Sequence, residues 1–253
     1  MKTRLDALLV TRGLAQSRER ARALVLAGEV EVNGRPATKA GVSVDEGASI
    51  TLRAPDHPWV GRGGLKLAHA LEAFRIDVAG RHALDVGAST GGFTHVLLER
   101  GAARVVALDV GQGQLDWKLR QDPRVVVLEG VNARYLEPDQ LPADLRRFDI
   151  VTIDVAFISL RLILPAVAPL VGDDGRVVAL VKPQFEAGRE EVGRGGIVRD
   201  PQVHERVVRE VAESAYRVGL ERVAIEPSPV TGAEGNREFF LQLAPTAGRR
   251  QPT

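Results

Sequence analysis

From residue 82 onward, apolar runs recur at intervals along the chain: HALDV, RVVALDV, RVVVLEG, FDIVTID and GRVVALV. Between them lie stretches whose apolar residues repeat every three to four positions, the period of a helix with one buried face. Runs and amphipathic stretches alternating in this way predict a parallel sheet covered by helices, an α/β, Rossmann-like architecture. The last two runs, ERVAIEP at 221–227 and REFFLQL at 237–243, flank a turn-rich stretch and predict an antiparallel hairpin at one sheet edge. The N-terminal part follows another rhythm. Leu5, Leu8 and Leu9 share a helical face that Gly13 ends; Ser17 caps a second helix carrying Ala21, Leu24 and Val25, which stops at Gly28. Val30 and Val32 then alternate with glutamates, and Asn33-Gly34 offers the positive φ angles of a two-residue hairpin turn. The pattern places a small α+β domain over 1–53 and a linker over 54–60, broken by two prolines and pinned by Trp59. A large α/β domain follows over 61–245, then a polar tail over 246–253.

With 34 Lys and Arg against 33 Asp and Glu, the net charge of +1 does not point to nucleic acid. The charge is unevenly placed, however: residues 1–40 hold eight basic and four acidic side chains, a local +4. Arg18 and Arg22 stand four apart on the second predicted helix, opposite its apolar stripe. With Arg4, Arg35 and Lys39 they form a candidate phosphate-facing patch. The charged, glycine-rich run from Glu186 to Asp200, with Arg189, Arg194 and Arg199, is a candidate RNA clamp or lid, or else a mobile solvated loop. The absence of Cys excludes disulfide frameworks and thiolate chemistry and agrees with a cytoplasmic setting. The most apolar stretch, LILPAVAPLV, is about half the ~18 residues that span a bilayer and holds two prolines. The Met1 end has too short an apolar run for a secretory signal. No membrane association is expected.

HALDVGASTGGFTHVLL reads as a buried strand, a glycine-rich turn and a helix. Gly87, Gly91 and Gly92 let backbone approach a ligand, with Ala88 and Ser89 between them, and the helix N-terminus behind offers free N–H groups. An adenosine-type ligand follows from this arrangement. The turn lacks the middle glycine that admits a dinucleotide pyrophosphate, which argues against NAD and for S-adenosylmethionine. Asp109, at the end of the second run, can accept both ribose hydroxyls, a need common to the two ligands. Asp85 precedes the turn and suits a carboxylate that organises the loop. Glu129 to Asn132 follow the third run, where adenine recognition would fall.

Four further residues could carry chemistry. Lys182 ends the run GRVVALVK at the carboxyl edge of the sheet, the edge where ligands bind in open α/β folds. Asp154 ends the preceding run and is its natural electrostatic partner. Glu238 starts the last strand, and Lys66 lies in GRGGLKL, whose glycines permit close backbone approach. Read singly, each is an exposed or ion-paired strand end. As a set, two lysines interleaved with two carboxylates suit alkylation of a sugar hydroxyl. An ammonium crowded by a second one and partly desolvated more readily gives up its proton and can then act as base, while the carboxylates hold geometry. The reaction calls for in-line alignment and no metal.

VGRGGLKL, DVGASTGGFT, ALDVGQGQL, NARYL, DVAFISL, LVKPQFE and GNREFF, in this order behind a basic head, closely resemble the TlyA family of rRNA 2'-O-methyltransferases, often labelled haemolysins. The resemblance runs from about residue 3 to 244. It implies a small RNA-binding domain of the S4 type and an FtsJ-like, class I methyltransferase fold. It also implies a catalytic tetrad met here by Lys66, Asp154, Lys182 and Glu238, with S-adenosylmethionine as methyl donor. Arg62, inside the first motif, joins the candidate RNA contacts. The implied partner is rRNA or a ribosomal subunit, the 2'-hydroxyl of a large-subunit cytidine being favoured, with some members also modifying the small subunit; no oligomeric state is implied. Three positions depart from the family pattern: Gly61 and Ala156 stand where Ser is usual, and His95 where an acidic residue often follows Gly-Gly-Phe-Thr. None touches the tetrad, and His95 reads as an exposed helix residue. Three other readings stand beside this one: a non-catalytic rRNA-binding assembly factor, a membrane-active haemolysin, and an NAD-dependent oxidoreductase.

Overall fold

The structure, a computed structural model, describes residues 2–15, 17–26, 28–52, 57–232 and 234–247. The chain forms two compact units, Met1–Pro58 and Trp59–Thr253. Residues 54–56 of the expected linker, with Arg53 before it, and most of the expected polar tail lie outside the described residues.

In the first unit, β1 (Lys2–Arg4) leads into α1 (Leu5–Thr11), and α2 (Arg18–Leu26) follows. The Ser17 hydroxyl accepts from Arg20 N at the start of α2, and Gly13 and Gly28, both at positive φ, lie just past the helix ends. Leu5, Leu9, Leu24 and Val25 pack the helices together. β2 (Val30–Val32), β3 (Arg35–Pro36) and β5 (Ile50–Leu52) make a three-stranded sheet in the order β3-β2-β5, while β4 (Ser43–Asp45) pairs with β1. The turn between β2 and β3 places Asn33 at φ 51° and Gly34 at φ 73°, as the Asn-Gly pair requires. The strands β1, β4 and β5 were not read from the sequence, because no Asn-Gly turn marks these short segments as one marks β2 and β3.

The second unit opens with α3 (Gly63–Ala73), which carries Lys66. There follow β6 (His82–Val86), α4 (Gly92–Glu99), β7 (Arg104–Asp109), α5 (Trp117–Arg120), β8 (Val125–Glu129), β9 (Phe148–Ile153), α6 (Leu160–Val167), β10 (Val171–Val181), α7 (Pro183–Glu186), α8 (Pro201–Arg217), β11 (Leu220–Pro227) and β12 (Phe239–Pro245). The seven strands run β11-β12-β10-β9-β6-β7-β8; β6 to β10 are parallel, and β12 lies antiparallel between β10 and β11. One face carries Leu84, Val151 and Ile153 against α6 and α8, whose Val203, Val207 and Val211 recur at helical spacing. The other carries Ala83, Ile150 and Val178 against α3 and α4. The chain goes from β6 outward through β7 and β8, then returns to place β9 on the other side of β6. That reversal opens a crevice at the carboxyl ends of β6 and β9, the general position of ligand sites in this architecture.

Candidate active site

Three cavities follow one another along this crevice. The first, about 350 Å³, is lined by Gly87, Ser89, Asp109 and Asn132 with the apolar walls Leu108, Val131 and Ile163. The second, about 240 Å³, lies between the glycine turn and Lys182. The third, about 480 Å³, is lined by Arg62, Lys66, Lys182, Gln184 and Glu238, beside the aromatic rings of Phe157 and Phe185. Asp154 is shared by the first two, Lys182 by the last two, and Ala156 by all three, so the cavities adjoin one another. Gly87 holds φ at 86°, and a Cβ there would come within 2.4 Å of the Asp154 carbonyl oxygen. The turns after β6 and β9 can approach this closely only with glycine at that position.

Strand register assembles the tetrad. Asp154 follows β9 and Lys182 follows β10, which are parallel neighbours with Ile153 opposite Ala179. β12 runs beside β10 with Phe239 opposite Val181, so Glu238 stands at the same edge. Lys66 comes from α3, donating to Glu238 Oε2 at 2.5 Å across 172 residues of sequence. Lys182 Nζ lies 2.6 Å from Asp154 Oδ1, yet that oxygen is without an aligned hydrogen bond, so the pair is an ionic contact with its directional bond unformed. The Lys66 and Glu238 side chains keep 8% and 2% of their exposure, those of Lys182 and Asp154 13% and 19%. The first pair is therefore a deep brace and the second the more accessible of the two.

Asp109 accepts from Ser89 N at 2.8 Å and Gly111 N at 2.7 Å and lines the first cavity. A carboxylate so held keeps lone pairs for hydroxyl donors, and the apolar walls beside it suit a flat ring; the donor set fits an adenosine-type ligand. Three of the sequence candidates take other places. Asp85 is fully buried, accepting from the hydroxyls of Thr94 at 2.7 Å and Thr152 at 2.8 Å. Burial pushes its carboxyl up to about 6 against these hydrogen bonds. It ties β6 to α4 and β9 beneath the turn and lines none of the cavities. Glu129 accepts from Arg120 at 2.5 Å, which holds its carboxyl below the usual range, and Gly91 caps α4 at φ 95°; neither lines a cavity.

The basic candidates divide likewise. Arg4, Arg18 and Arg22 converge on the buried Asp6 carboxylate at 2.8, 3.3 and 3.1 Å, leaving about half of each side chain exposed. Arg35, Lys39, Arg189, Arg194 and Arg199 are exposed, and Arg62 reaches the third cavity. The run 186–200 is anchored, not a free solvated loop: Gly193 pairs with Ile197, and Asn236 accepts from Val198 N and donates to Gly196 O. His204 adds a contact to Val198 O. His95 is half-buried, its Nδ1 accepting from Val60 N, which corrects the exposed placement. Trp59 donates to Glu99 at 2.6 Å and covers Gly64.

Sequence reasoning missed Phe157, 92% exposed at φ 63°, whose ring lies 5.2 Å from that of Phe185. An exposed phenylalanine in the left-handed region has no signal in the hydrophobic pattern. It also missed Gln184, Asn236 and the burial of Glu186.

The FtsJ-like methyltransferase family matches residues 59–244, and the S4 domain family matches residues 3–50. The chain is 51% identical over 243 residues to the 16S/23S rRNA (cytidine-2'-O)-methyltransferase TlyA of Mycobacterium tuberculosis, covering 96% of this chain and 90% of that one. It is 38% identical to Hemolysin A of Brachyspira hyodysenteriae, over 95% and 99% of the two chains. A solved haemolysin-named protein from Streptococcus thermophilus superposes with a TM-score of 0.76 at 46% identity, over 97% and 89% of the two chains. No helix among the described residues is long and apolar enough to cross a membrane.

Proposed function

The chain belongs to the TlyA family of FtsJ-like methyltransferases, and on that premise we propose that it methylates the ribose 2'-oxygen of an rRNA cytidine, with large-subunit rRNA the favoured substrate. The observation that carries this reading is the pair of lysine–carboxylate contacts where an adenosine-sized cavity meets a second, nucleotide-sized one. S-adenosylmethionine, when bound, supplies a sulfonium methyl that is already electrophilic. Asp109 and Asn132 would hold its adenosine part, and Gly87, Ala88, Ser89 and Gly92 would let the backbone close around the remainder. Lys182 Nζ takes the proton of the 2'-hydroxyl, and Asp154 stabilises the ammonium that results. Lys66 and Glu238, bound to each other, hold the far wall and orient the ribose.

The exposed Arg35 and Lys39 of the small unit, the outer faces of Arg4, Arg18 and Arg22, and Arg62, Arg189 and Arg194 contact phosphates. The target nucleotide leaves its stack to enter the third cavity, at a cost of a few kcal/mol. Lys182→Ala is expected to lower methyl transfer to unmodified ribosomal subunits by about 10³-fold, with S-adenosylmethionine affinity nearly unchanged. Label should appear in 2'-O-methylcytidine after digestion to nucleosides. Retained turnover in the variant, or label in another nucleoside, would overturn the assignment.

A further inference from the structure

Glu186 is 5% exposed, lies four residues beyond Lys182 and lines none of the three cavities. Its carboxylate nevertheless reaches the loop that carries Asp154. Ser159 Oγ donates to Oε2 at 2.5 Å and Leu160 N donates to Oε1 at 2.7 Å. Arg161 backs the contact from outside, its Nε 3.4 Å from Oε2 and its Nη2 donating to the Glu186 carbonyl oxygen at 3.0 Å. Two loops, 154–160 after β9 and 182–186 after β10, are thus joined at three levels. The Asp154–Lys182 contact lies at the cavity, Phe157 against Phe185 in the middle, and the Glu186 carboxylate at the outer end.

Only the outermost of these links is directional and buried. The catalytic contact has no aligned hydrogen bond to hold itself, and the rings of Phe157 and Phe185 are tilted, that of Phe157 being open to solvent. Burying a carboxylate beside one half-exposed arginine is costly, and burial accordingly pushes the Glu186 carboxyl up. A glutamine would fill the same volume without that cost, but its NH2 group, standing where one carboxylate oxygen stood, could not accept from Ser159 while the remaining oxygen accepts from Leu160.

We propose that Glu186 is a positioning residue for methyl transfer: by stapling the two loops it sets the placement of Lys182 relative to Asp154. The inference rests on the function proposed above. Misplacement of a reacting group by about 1 Å costs on the order of 10²-fold in rate. In the full-length protein, Glu186→Gln is therefore expected to lower the single-turnover rate of methyl transfer about 10- to 100-fold, while S-adenosylmethionine affinity stays within about threefold.

Ser159→Ala removes the partner hydroxyl and should lower the same rate. Ser159→Thr, which keeps the hydroxyl, should restore it to within about threefold, and the double variant with Glu186→Gln should be no slower than the slower single one. A staple that served folding alone would lower the melting temperature and leave the rate of the folded protein unchanged. The inference is overturned by a wild-type rate in Glu186→Gln, by a loss that tracks cofactor affinity, or by rate effects that add in the double variant. Where Glu186→Gln fails to fold, the Ser159→Ala and Ser159→Thr pair decides: equal rates overturn it. Absence of methyl transfer by the wild type would instead remove the function on which the inference stands.

Discussion

Among the described residues two aspartates are completely buried, one in each unit, and they are held in opposite ways. Asp6, in the N-terminal unit, sits under Arg4, Arg18 and Arg22, and these guanidinium groups hold its carboxyl well below the usual range. Asp85, beneath the glycine turn of the large unit, meets only neutral hydroxyls, and burial pushes it up to about 6. Burial sets the penalty for charge; the partner decides whether the charge is kept. Below its ordinary value of 3.8, Asp6 loses the stabilisation that it contributes at higher pH. Asp85 runs the other way: the folded state keeps a proton that the unfolded chain releases, so its contribution to stability falls as pH rises from about 4 through 6. The small unit draws stability from a cluster of charges, whereas the large one tolerates a costly carboxyl to tie the glycine turn to the sheet.

The sharpest way to break this contrast is steric. Gly87 and Gly34 both hold positive φ, but a Cβ at Gly87 strikes the Asp154 backbone, whereas one at Gly34 meets nothing within 4 Å. Gly87→Ala should cost more than about 3 kcal/mol and abolish S-adenosylmethionine binding, whereas Gly34→Ala should cost about 1 kcal/mol, by urea denaturation and calorimetric titration. Equal costs would mean that the large unit's turn is no more constrained than a surface hairpin.

Next in size is Asp6→Asn, which leaves three arginines facing one another. A loss of about 3 kcal/mol is expected at pH 7, below the upper range for buried pairs because the arginines are half-exposed. Hydrogen exchange over α1 measures it, and unchanged protection would make the cluster ornamental.

Asp85→Asn should act in the opposite direction, raising stability by about 2 kcal/mol at pH 8 and by almost nothing at pH 4. The Thr152 hydroxyl has the Leu84 carbonyl oxygen as an alternative acceptor, 3.5 Å away, so the neutral side chain leaves it satisfied. Denaturation midpoints that differ equally from wild type at both pH values would sink the account of Asp85.

Much of the site was legible because its chemistry is punctuated locally. The glycine turn, the Asn33-Gly34 hairpin and the strand-end positions of Asp109, Asp154 and Lys182 follow from runs of a few residues. The facing of Lys182 by Asp154 also followed, since consecutive runs of a parallel sheet end at one edge. The expectation of a free arginine face on α2 was only half right, because the acceptor that draws Arg18 and Arg22 together, Asp6, belongs to another helix. Glu186 read as the start of a charged loop and is instead a buried staple.

The sequence by itself determined the two-part organisation of the elements, the class of the large fold and the four residues, Lys66, Asp154, Lys182 and Glu238, that the structure brings into two lysine–carboxylate contacts. Only the tertiary structure decided that Lys66 meets Glu238, which arginines are spent on Asp6, and that Asp85 and Glu129 line none of the three cavities. The reason is range. Periodicity and turn chemistry act over a few neighbours, whereas the contact of Lys66 with Glu238 spans 172 residues and exists because β12 inserts antiparallel beside β10.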